Sequence, residues 1–208
     1  MSARNRFVLA VFVIVVVVGV GNAQQVDERW ENVPVINGDF DLPGEPALYH
    51  FYPMERYSTA IQEAIAWWPF GDAGTSEWNP RQWVGFAFNA EANPENGLRQ
   101  TLADTFSVGT YRLSVLVNGN GPWGSASKVS LGFLDGGSFT IVGVSELEVP
   151  AASFPTWIEQ ELIVAVPDGN EALGRPIVVK LEAIARSGTA GDSNRATCWD
   201  TVELSYRK

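Results

Sequence analysis

The sequence predicts an all-β fold, a sandwich or jelly roll of about eight to ten antiparallel strands. Two observations carry that expectation. Short alternating or β-branched runs recur along the chain, each bounded by Gly, Asn, Asp or Pro. The composition agrees: 20 Gly, 12 Pro and eight Trp in 208 residues suit a loop-rich β protein better than a helical bundle.

The first residues read as an address. Arg4 and Arg6 precede an apolar run from Phe7 to Gly21, and Gly21-Asn22-Ala23 offers small residues for cleavage after Ala23. The run is shorter than the roughly 20 residues that a membrane span needs, so residues 1–23 are expected to be a secretory signal. No Cys follows it, which argues against a lipoprotein. Residues 24–32 form a polar leader, and residues 33–208 are expected to form one domain, secreted or periplasmic, with no membrane attachment after cleavage.

Strands are expected at Val33–Asn37, Trp83–Asn89, Leu98–Thr105, Tyr111–Asn118, Lys128–Leu134, Thr140–Val144, Ile158–Val166, Ile177–Ala185 and Thr197–Tyr206. Turn clusters separate them, such as Asp135-Gly136-Gly137 and Pro167-Asp168-Gly169-Asn170. One segment departs from this pattern. Ser58–Trp68 places Ile61, Ile65 and Trp68 at helical spacing, and Thr59 with Gln62 fits a capping box. A short helix and a strand both suit residues 58–68.

Composition removes several function classes. With 14 Lys+Arg against 24 Asp+Glu, the net charge is −10, which opposes nucleic-acid binding. One Cys excludes an internal disulfide and a cysteine metal cage, and Cys198 reads as a buried, inert thiol. His50 is the single histidine, so a histidine-based proton shuttle has one candidate and no nucleophile elbow beside it. No catalytic residue is assigned.

The ends of the domain form a matched pair. Val35-Ile36-Asn37-Gly38-Asp39-Phe40-Asp41 and Cys198-Trp199-Asp200-Thr201-Val202-Glu203-Leu204 resemble the N-x-x-F-E opening and F-D-N-V-x-L closing strands of calcium-binding, galactose-binding-like jelly rolls. Gly97–Asp104 followed by Gly109–Val115 resembles that family's paired L-S-Q-T-L and G-T-Y-T-L-S-V strands. Trp78-Asn79-Pro80 is similar to a loop of the bacterial branch that also contains the hapalindole-type (Stig) cyclases. Asp41 stands where Glu is usual, and Thr201 where Asn or Asp is usual.

That resemblance implies a structural calcium ion at the closure of the jelly roll. Calcium takes six to eight oxygen ligands. Adjacent first and last strands would bring Asp39 and Asp41 close to Asp200, and carboxylates that close favour a cation among them. The expected ligands are Asp41 and Asp200, with Asp39 contributing through its carbonyl. Phe40 and Trp199 are expected to enter the core beside them.

The tryptophans point to a ligand. Flat rings offer apolar contact for the C–H faces of sugars, while nearby Asn, Gln or Arg read hydroxyls. Trp78 and Trp123 sit in turn-rich sequence, and Trp83 and Trp68 are further candidates, with Asn79 and Arg81 as polar readers. The competing role for any one of them is core packing. Trp157 and Trp199 read as core residues, and adjacent Trp67 and Trp68 face opposite ways on a strand.

The leading expectation is an exported, non-catalytic carbohydrate-binding protein with structural calcium, taking a glycan or a small hydrophobic ligand. The alternative is a calcium-dependent cyclase or isomerase on the same fold, acting through a desolvated acid in an aromatic pocket. The third is a structural or surface-layer protein with no small ligand.

Overall fold

A computed structural model describes residues 29–41, 52–53, 66–71, 73–79, 82–88, 96–119, 125–149, 156–184 and 196–208. Twelve strands occur among them: β1 Glu31–Val33, β2 Tyr52–Pro53, β3 Trp68–Phe70, β4 Ala73–Asn79, β5 Gln82–Phe88 and β6 Asn96–Thr105. They continue with β7 Gly109–Gly119, β8 Ser125–Asp135, β9 Ser138–Val149, β10 Ile158–Val166, β11 Pro176–Ala183 and β12 Ala196–Arg207. Two antiparallel sheets face each other. One runs β10-β7-β12-β5-β4-β2, with β1 also paired to β12, and the other runs β3-β6-β11-β8-β9.

The expected all-β sandwich forms, and no helix occurs among the described residues. The helix-or-strand segment falls mostly outside them, but Trp68 opens β3 and pairs with Arg99 on β6. The first expected strand is corrected: β1 ends at Val33, and residues 36–39 form a turn. Asn37 and Phe40 have φ of 51° and 55°, left-handed values that a continuous strand does not allow.

The core lies between the sheets. Leu98, Val129, Leu131, Val179 and Leu181 meet Leu113, Val115, Val117 and Leu204. Phe40, Trp67 and Trp199 are fully buried there, as expected for Phe40 and Trp199. Polar cross-links fix the two sheets relative to each other. Trp199 Nε1 donates to Ser127 Oγ at 2.9 Å, and Thr197 Oγ1 donates to the Ala126 carbonyl at 3.1 Å. Tyr111 closes a corner: its hydroxyl accepts the Ser107 N–H at 2.7 Å, and burial raises its pKa.

Candidate functional site

β12 changes neighbours part-way along its length. Residues 196–199 pair with β5, and residues 204–206 pair with β1. A bulge lies between, with Thr201 at φ 48°. The 36–39 turn docks in this gap, where Val202 N–H donates to the Gly38 carbonyl at 2.8 Å. A Cβ on Gly38 would run into the Val202 carbonyl, so only glycine permits the approach. The first and last strands therefore do run side by side.

A cleft of about 400 Å³ opens at this closure, and Asn32, Asn37, Asp39, Thr201 and Glu203 line it. The three expected calcium carboxylates are placed differently. Asp39 and Asp41 are exposed on the turn, and Asp39 Oδ1 accepts the Asp41 N–H at 3.3 Å. Asp200 is 7% exposed, and its Oδ1 accepts the Thr201 N–H at 2.7 Å. Among the described residues, no three acidic, His or Cys side chains gather as a metal cage. Oxygen-rich groups suited to a hard cation are present, but a three-carboxylate cluster is not.

The second feature is the outward face of the five-stranded sheet. Trp67 is fully buried while Trp68 is 42% exposed, as alternation on a strand requires. Strand register sets one residue of each strand in a row: Trp68, Arg99, Lys180, Ser130 and Val144. Ile141 and Val144, both exposed, extend the apolar surface on the outermost strand. Arg99 is exposed and has no ion-pair partner among the described residues.

Lys180 anchors the middle of this face. Its Nζ lies 4.7 Å from the centre of the Phe70 ring and 5.4 Å from that of Phe139. Those rings lie over glycines. A Cβ on Gly97 would meet the Phe70 ring at 2.6 Å, and one on Gly132 would meet Phe139 at 2.7 Å. Glu182, nearly buried, takes Lys180 at 3.1 Å and Lys128 at 3.3 Å. Two ammonium groups thus share one carboxylate. A buried carboxylate is tolerated only with such partners.

The other predicted ligand residues are divided between the sheets. Trp78 and Asn79 fall on β4 and Trp83 on β5, one hairpin of the seven-stranded sheet, where Glu77 pairs with Trp83 and Asn79 with Gln82. Trp68 belongs to the opposite sheet. Trp123, Arg81 and His50 lie outside the described residues. Trp157 is half-buried just before β10 and packs on a second apolar cluster of Val84, Phe86, Ala196 and Cys198. Burial pushes the Cys198 thiol up to about 12, so it is neutral and inert.

Sequence reading missed Arg99, Lys180, Phe70 and Phe139 as companions of Trp68. Alternation around Leu98 marks Arg99 as outward-facing, but only strand pairing shows which residues stand beside it.

No family model matches the chain, and no curated protein sequence matches it. Solved structures do resemble it. A Stig cyclase of Fischerella sp. TAU, in complex with a pyrrolidinylidene indole, gives a TM-score of 0.57 at 13% identity over 86% of this chain and 98% of the cyclase. A proposed sugar-binding protein of Bacteroides thetaiotaomicron gives 0.53 at 10% identity over 86% and 100%. A CBM4 protein gives 0.50 at 15% identity over 82% and 98%. The fold is a jelly roll. At these identities the likeness extends to the fold alone, a jelly roll that carbohydrate-binding modules and Stig cyclases have in common.

Proposed function

We propose that this jelly roll is an exported, non-catalytic glycan-binding protein. The observation that carries the reading is Trp68: a solvent-facing indole on the edge strand of the five-stranded sheet, with the exposed Arg99 as its register partner. A ring fixed on a strand loses little entropy on binding and supplies apolar area for a sugar face, while the neighbouring guanidinium donates hydrogen bonds. The hairpin bearing Trp78, Asn79 and Trp83 is a second candidate surface on the opposite sheet. Similarity in fold to a CBM4 protein is consistent with this reading. Calcium enters as a structural tie at the closure. In this proposal Asp200 and Asp41 contribute carboxylate oxygens, with Asp39 adding its carbonyl. Export rests on the reading of residues 1–23.

One observation favours the second reading, a calcium-dependent cyclase or isomerase. Asp200 is an almost fully buried acid on β12, two residues from Cys198 and its apolar cluster. In this reading Asp200 is the acid that would protonate the substrate.

A glycan array probed with the mature protein, with and without chelator, separates the two. The expected result is polysaccharide binding that falls at least tenfold in Trp68→Ala while the melting temperature holds. Absence of binding to every glycan in either condition would remove the lectin reading.

A further inference from the structure

Resting on the glycan reading, we propose that the outward face of the five-stranded sheet selects an anionic polysaccharide, one carrying uronate carboxylates or sulfate esters. The chain is acidic, with 14 basic residues against 24 acids, yet Arg99, Lys180 and Lys128 collect on this one surface. Glu182 is shared between Lys180 and Lys128, so that triad keeps one positive charge. Arg99 adds a second, with no ion-pair partner among the described residues.

The arrangement suits a sugar acid more than a neutral sugar. Arg99 is the direct register partner of Trp68 and of Lys180. Cross-strand partners hold their Cβ atoms about 5 Å apart, so a ring stacked on Trp68 brings its substituents to the guanidinium. The planar fork of arginine binds carboxylate or sulfate through two parallel hydrogen bonds. Trp68 and Lys180 are two strand steps apart, about 10 Å; a polymer meets the indole and guanidinium directly, and the half-buried Lys180 contributes its charge. Phe70 and Phe139 hold the Lys180 ammonium in place, so little order is lost on binding.

The net charge of the chain does not forbid this. Glu146, the register partner of Lys128, and Glu148 lie on the outermost strand β9; both are three strand steps from Arg99, or roughly 14 Å. At physiological ionic strength fields decay over about 8 Å, so the cations beside Trp68 dominate what a bound ligand meets there.

Affinity electrophoresis of the mature protein tests the inference. Gels would contain polygalacturonate, its methyl-esterified form, dextran sulfate or neutral dextran. Parent, Arg99→Gln, Trp68→Ala and the remote control Arg175→Gln would be compared, each checked by thermal melting. The expected result is retardation by polygalacturonate or dextran sulfate, with affinity at least tenfold lower in Arg99→Gln and Trp68→Ala and unchanged in Arg175→Gln. Retardation by polygalacturonate alone assigns uronates; retardation by dextran sulfate alone assigns sulfate esters. Equal binding to polygalacturonate and its methyl ester, insensitive to Arg99→Gln, overturns anion selection and leaves glycan binding standing. No retardation by any of these polymers overturns anion selection as well, and the glycan array then decides the broader reading. A parent dimer in sedimentation that Trp68→Ala dissolves would make the face a self-interface and overturn the proposal.

Discussion

Gln100 holds the backbone of Ile36 at both polar groups, across 64 positions of sequence. Its Nε2 donates to the Ile36 carbonyl at 2.7 Å, and its Oε1 accepts the Ile36 N–H at 2.9 Å. Gln100 stands on β6 of the five-stranded sheet and is buried. Trp67 Nε1 donates to the Asn37 carbonyl at 3.0 Å from the same side. Val202 grips Gly38 from the other sheet. The opening turn is thus a rivet between the two layers, and the closure cleft exists because of it.

Replacing Gln100 by Ala removes both bonds and leaves part-buried main-chain groups to find water. The expected cost is about 2 kcal/mol, or a fall of roughly 4–8 °C in melting temperature for a chain of this size. Thermal unfolding followed by circular dichroism measures it. An unchanged midpoint would mean that Gln100 does not hold the turn.

Thr201 is a β-branched residue at φ 48°. Left-handed backbone costs an L-residue about 1–2 kcal/mol, and Asn adopts it more easily. Thr201→Asn is therefore expected to stabilise the protein by about 1 kcal/mol, raising the melting temperature by roughly 2–4 °C. A lower midpoint in the variant would show that the threonine side chain contributes more at the bulge than its backbone costs.

Much of the frame was legible in the chain. Eight of the nine expected strands recur: β10 with the expected ends, and β5, β6, β7, β8, β9, β11 and β12 with shifted ones. Their alternation is regular because one face of each meets the core. β5 matches the expected 83–89 segment within one residue at each end. The opening strand was misplaced, because left-handed Asn37 and Phe40 turn the chain where apolar content alone reads as extended. β2, β3 and β4 were not foreseen as strands: β2 has only two residues, β3 contains Pro69, and Gly74, Thr75 and Ser76 weaken the hydrophobic signal of β4. The site was less legible than the fold. Trp68 could be named as a candidate, but its neighbours come from β6, β8, β9 and β11, and pairing across such distances leaves no local signature.

Cys198 makes a prediction about alkaline stability. Its thiol titrates near 8.5 in an unfolded chain, and burial pushes it up to about 12 in the folded one. The folded state therefore keeps its proton while the unfolded state releases one. Stability from this group is fully present below the unfolded pKa and is lost as pH rises toward 12, by about 1.4 kcal/mol per pH unit. Cys198→Ala lacks this loss. Tyr111, also raised, acts equally in both proteins and cancels. Urea midpoints of parent and variant should converge between about pH 9 and 11. Parallel profiles would mean that the thiol ionises in the folded protein as it does in the unfolded one.

Asp200 carries the calcium proposal, and its two roles can be separated. Its Oδ1 already accepts the Thr201 N–H at 2.7 Å, so alanine would disturb the bulge whether or not a metal binds. Asparagine keeps an acceptor oxygen there and removes the negative charge that a hard cation requires. A ligand that binds only the folded state stabilises it by about 2.7 kcal/mol at one hundred times its dissociation constant. Saturating calcium should then raise the melting temperature of the parent by roughly 5–10 °C. Asp200→Asn should melt near the calcium-free parent and respond to added calcium by less than a quarter of that shift. A variant that responds as fully as the parent would clear Asp200 of metal binding. A parent indifferent to calcium would end the proposal of a cation at this closure, and the Gln100 and Trp67 bonds would then be what ties the turn to the sheets.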